Sequence, residues 1–87
     1  MMNYKSLYES LHRRGFRHTN SCSFDGKTYN DFTNPKTRET ASAVIDPVTG
    51  AVSVVEVTRP CWDDHKGMYV PVKDTYTSLE SLINRIK

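Results

Sequence analysis

Cysteine is scarce in this chain. Two residues in 87 are too few for the disulfide framework that stiffens small secreted domains. Long apolar runs are missing too, and the chain does not open with a basic segment followed by an apolar stretch. The sequence alone therefore offers neither a membrane span nor an export signal. A cytoplasmic setting is expected, with both thiols free or metal-bound. An excess of one charge is also lacking: twelve basic residues face ten acidic ones, so the net charge of +2 does not by itself announce a nucleic-acid binder. Neither an internal repeat nor a low-complexity tract is present. Nucleophile motifs, phosphate loops and acid–base sets at recognisable spacing are absent as well, so a non-catalytic role is expected.

The length allows one domain, residues 1–87, with a single core. Only 37% of the residues are hydrophobic. A core of that size profits from help by a metal, a disulfide or a partner.

The clearest element is an N-terminal helix over residues 4–14. Tyr4, Leu7, Tyr8 and Leu11 fall on one face at i, i+3, i+4, i+7 spacing. Asn3 is the expected N-cap. His12, Arg13 and Arg14 meet the negative end of the dipole, Gly15 supplies the left-handed C′ residue, and Phe16 packs back on Leu11. Asp25-Gly26 predicts a type I′ hairpin between strands at Ser21–Phe24 and Lys27–Phe32. Asn34-Pro35 ends that unit, and Lys36–Glu39 reads as an exposed connection.

A second hairpin is predicted between Thr40–Ile45 and Ala51–Thr58, joined by Asp46–Gly50 in a type I turn with a bulge. Val52 and Val54 alternate with Val55 and Val57, which suggests a strand covered on both faces. Pro60 is expected to stop it. A polar loop from Cys61 to Gly67 would follow, then a short edge strand from Met68 to Val72. Thr77-x-x-Glu80 has the form of a capping box opening a last helix over residues 78–86, with Leu79, Leu82, Ile83 and Ile86 on its apolar face. The sum is an α+β two-layer sandwich: N-terminal helix, antiparallel sheet of four to five strands, C-terminal helix.

Three sets of residues are candidates for function. His18, Cys22, Cys61 and His65 form a mirrored His-x3-Cys … Cys-x3-His arrangement, whose donors would suit a closed, structural zinc site. Lys5, Arg13, Arg14 and Arg17 form a basic cluster that could meet phosphates, with Tyr29, Phe32 or Trp62 as stacking faces. Basic residues at a helix end also have a local role, since they complement the dipole. Trp62, the single tryptophan, stands in a polar stretch beside Asp63, Asp64 and Lys66. It is read as an anchor for a protein partner or as a lid over the core.

The element order resembles the helix–sheet–helix plan of double-stranded-RNA-binding domains and of HicA-type toxins, which are RNases. Their signatures are not here. Thr77–Ser81 stands where the first family has its Lys-Lys-x-Ala-Lys run, and the second family's Gly-Ser-His stretch is missing. The leading expectation is a small regulator or inhibitor that binds another protein, of the sort carried by phages and other mobile elements. An RNA- or DNA-binding module using the basic cluster is the alternative, and a small nuclease-like toxin is a third. Exposed strand edges would allow a homodimer.

Overall fold

A computed structural model describes residues 2–86. The elements follow in the order β1 (Met2–Asn3), α1 (Tyr4–Arg13), β2 (Arg17–Phe24), β3 (Lys27–Thr33), β4 (Thr40–Ile45), β5 (Ala51–Asp63), β6 (Met68–Tyr76) and α2 (Leu79–Ile86). All pairings are antiparallel. β2 through β6 form a meander, and the two-residue β1 pairs with the start of β5. This is the expected α+β sandwich with a helix at each end.

Local chemistry accounts for the element ends. Asn3 Oδ1 accepts from the backbone amides of Lys5 at 2.9 Å and Ser6 at 3.3 Å, capping α1. Gly15 has φ 90°. There the Phe16 amide donates to the Leu11 carbonyl and the Gly15 amide to that of His12, a Schellman motif. Asp25 and Gly26 both take positive φ, as a type I′ turn requires. In the next hairpin Asp46 Oδ1 accepts from the amides of Val48 and Thr49, and Gly50 closes the turn at φ 73°.

Both helices bury their apolar stripes against one face of the sheet. Leu7, Leu11, Leu82 and Ile86 join Phe16, Phe32, Ala41, Ala43, Val55 and Val57 in a single core. Among the described residues the opposite face carries no helix, which corrects the expectation of a strand covered on both sides. A bulge explains the misleading valine pattern. The register shifts between Val44 and Ile45 opposite Val52 and Val54, so Val52 turns to the buried side together with Val55 and Val57.

Two further corrections concern the second half. β5 does not stop at Pro60 but runs on to Asp63, and β6 extends from Met68 to Tyr76. The expected polar loop therefore shrinks to the turn after Asp63. Asp63 Oδ1 accepts from the His65 and Lys66 amides there, and Gly67 takes φ 62°. At the last helix the cap is Ser78 rather than Thr77, because the Ser81 amide donates to Ser78 Oγ at 3.2 Å.

β4 pairs with β5 only as far as Thr58, whereas β6 follows β5 to its end. Residues 59–63 and 68–72 thus form a two-stranded ribbon extending past the rest of the sheet. The ribbon sets the position of the candidate site.

Candidate functional site

Alternation along β5 places Val55, Val57, Arg59, Cys61 and Asp63 toward the helices, and Glu56, Thr58, Pro60 and Trp62 on the open face. Tyr69 and Pro71 of β6 share that open face, because they stand opposite Trp62 and Pro60. The Trp62 and Tyr69 rings meet edge to face, with centroids 5.2 Å apart. Trp62 is 56% exposed and Tyr69 61%. Trp62 is therefore not a lid over the core.

The β3–β4 connection lies beside this aromatic pair. A shallow groove is lined by Lys36, Thr37 and Arg38 on one side and by Pro60 and Tyr69 on the other. Asn34 builds the connection. Its side chain is buried, its Oδ1 accepts from the amides of Lys36 (3.0 Å) and Thr37 (3.3 Å), and its Nδ2 donates to the Arg14 carbonyl at 3.1 Å. One asparagine thus ties the basic loop to the end of α1. Arg38 holds φ 65°, the left-handed region that a large side chain seldom adopts.

Each residue set expected from the sequence meets a different fate. His18, Cys22, Cys61 and His65 are not brought together. β2 and β5 are separated by β3 and β4, a span of about 14 Å at normal strand spacing. A register shift between His18 and Asn20 also sends His18 and Cys22 to opposite faces. His18 bonds instead to buried Asn30, with Nε2 2.8 Å from Oδ1, and packs on Phe32 with centroids 5.3 Å apart. His65 lies in the β5–β6 turn. Among the described residues, no group of three or more His, Cys, Asp and Glu side chains is arranged to hold a metal ion. The four residues do not form one zinc site.

The basic cluster is held together only in part: Arg14 and Arg17 line one groove with Lys36, whereas Lys5 and Arg13 do not join them there. Lys5 is at the start of α1 and Arg13 at its end, about 12 Å apart along the axis. Arg14 donates from Nη1 to the Ser10 carbonyl at 2.9 Å, which is the dipole-complementing role. Arg17 stands on β2, opposite Thr33, at the open face. Asp63 points away from Trp62 and holds the turn, while Asp64 and Lys66 are exposed in it.

Sequence reasoning missed Tyr69, Pro60, Pro71, Lys36 and Arg38. A signal was present in Pro60-x-Trp62 … Tyr69-x-Pro71, a palindrome centred on the turn that hairpin pairing would produce.

Two other features bear on chemistry. Asp74 lies between Arg59 Nε and Arg85 Nη2, each 3.8 Å from its Oδ2, which joins β5, β6 and α2. A depression of about 460 Å³ lies at the far end of the sheet and contains Lys27 and Asp46, the latter already engaged in its turn. Neither helix is long and apolar enough to cross a membrane. No family model, curated protein or solved structure matches this chain.

Proposed function

We propose that this chain is a non-catalytic interaction module, a regulator or inhibitor that presents the open face of its β5–β6 ribbon to a macromolecular partner. The observation that carries the reading is the exposure of the Trp62–Tyr69 pair on a ribbon projecting past the sheet. Tryptophan and tyrosine supply large contact area at little entropic cost, and they are enriched among residues that dominate binding energy. Pro60 and Pro71 stiffen the base of the same surface. Both cysteines are free, which suits a reducing, cytoplasmic setting.

The test is affinity capture from a host lysate with wild-type protein and Trp62→Ala, each with and without nuclease treatment. The module reading expects a partner captured by the wild type and lost with the substitution, while the melting temperature falls by no more than about 8 °C. Capture that survives Trp62→Ala would move the contact surface elsewhere.

A further inference from the structure

We propose that the ribbon's partner is single-stranded nucleic acid, bound along a basic strip that ends on the Trp62–Tyr69 pair. The inference rests on the module reading and names its ligand. Three shallow grooves adjoin one another across this end of the sheet. The first, between the end of α1 and the β3–β4 connection, contains Arg14, Arg17 and Lys36. The second shares Lys36 and adds Arg38, and the third continues from Arg38 and Tyr69 to Pro71. Among the described residues, none of the three is lined by a carboxylate. Arg17, Lys36 and Arg38 also make no ion pair among those residues. In a chain of nearly balanced charge, a run of cations along these three grooves is a local concentration that suits a polyanion. The groove that adjoins the third on the open face carries Asp31 and Glu56, the latter paired with Lys73, and bounds the strip there.

The geometry narrows the polyanion. From β2 to β6 the strip crosses four strand spacings, about 19 Å, a few nucleotides in length. It ends on Tyr69, which lines the second and third grooves, and Trp62 stands against that ring. Both are more than half open to solvent, giving the combination of backbone-tracking cations and stacking faces that unpaired bases require. An acidic protein segment would use the cations but has no systematic need for the aromatic platform. Arg38 supplies an independent argument. Its left-handed backbone would suit glycine better, so the position keeps a guanidinium at a conformational cost.

The experiment is a titration of the intact chain with an oligothymidylate of about twelve nucleotides, within the range covered by one such site. The single tryptophan reports directly. The expected results are quenching of Trp62 fluorescence and, for three phosphate contacts, an affinity loss of about twentyfold between about 50 and about 200 mM salt. A duplex of equal length should bind at least about tenfold more weakly, since paired bases cannot stack on the ring. Arg38→Gly should fold as well as the wild type yet weaken binding and reduce the salt dependence, and Lys36→Ala should do the same without touching a strained residue. Absence of quenching at low salt, equal binding of single strand and duplex, or an unchanged salt dependence in both variants would overturn the proposal. If the oligonucleotide fails while a lysate protein, acidic or otherwise, is still captured through Trp62, the nucleic-acid inference falls and the module reading stands. If neither binds, both fall.

Discussion

Pro60 and Pro71 stand directly opposite one another in the β5–β6 ladder. Two prolines can face each other only at a non-hydrogen-bonded position, where both ring nitrogens point away from the partner strand. On β5 that direction is the side β4 has already left, and on β6 it is the outer edge. Neither proline therefore removes a ladder bond, and the ribbon continues through them. Alternation then makes Trp62–Tyr69 another non-hydrogen-bonded pair, the kind in which side chains approach most closely.

This placement predicts that Trp62→Ala costs little stability. The ring is more than half exposed and contacts Tyr69 on the surface, so the loss should be about 1 kcal/mol or less. Leu82→Ala, at a fully buried position, should cost about 2–5 kcal/mol. Urea denaturation of the two variants checks the contrast. A loss at Trp62 as large as at Leu82 would mean that the ribbon folds back on the core.

Asn34 makes a second case. Truncation to alanine orphans the Arg14 carbonyl and the Lys36 and Thr37 amides together in a half-buried corner. A cost of about 2–3 kcal/mol is expected, more than a single neutral hydrogen bond contributes. Asn34→Asp keeps the acceptor for the two amides but cannot donate to Arg14 while ionised, so it should fall between alanine and wild type. Chemical denaturation gives the order of the three.

Much of the fold is legible in the residues because its local signals agree with its tertiary packing. Asn3, Gly15 with Phe16, Asp25-Gly26 and Asp46–Gly50 each act in the structure as their chemistry dictates. The misreadings share one physical cause: strand pairing depends on which neighbour is present. A proline breaks a ladder only if a partner needs its amide, and Pro60 has none on that side. Bulges at β2 and β5 reverse the facing of His18 relative to Cys22 and of Val52 relative to Val54, and one extra residue leaves no periodic trace. β2 is exposed along its whole length, so it lacks the apolar alternation that would have revealed its first half. The site was half legible. Trp62 was found from its rarity, whereas Lys36 and Arg38 become neighbours of Tyr69 only once the sheet brings the β3–β4 connection beside the ribbon.

The cap of the last helix offers a direct comparison between adjacent residues. Ser78 Oγ accepts from the Ser81 amide and also contacts Ser81 Oγ at 2.9 Å. Ser78→Ala should therefore cost about 1 kcal/mol, as the loss of an N-cap does. Thr77→Ala should change stability by no more than about 0.5 kcal/mol, because Thr77 is exposed. Thermal melts of the two variants separate the assignments, and a larger loss at Thr77 would restore the capping box to that residue.

Alkaline pH should weaken the fold through Tyr4. Partial burial pushes its phenol above the usual tyrosine range, and the neighbouring Tyr8 adds to the rise, since two phenolates would repel. The rings lie edge to face with centroids 6.1 Å apart, and Tyr4 also packs on buried Phe32. The folded state thus holds the phenolic proton more tightly than the unfolded chain, where the group titrates near about 10. Below that pH both states are protonated and the stabilisation is fully present. As pH rises past it, the unfolded chain releases the proton first, so stability falls until the folded-state phenol titrates as well. Urea midpoints measured from about pH 8 to about pH 11 should therefore stay level and then decline, since the unfolded tyrosine titrates within that window. Tyr4→Phe keeps the ring and removes the proton, so its decline over the same interval should be shallower. An identical decline in the variant would assign the alkaline loss to other groups.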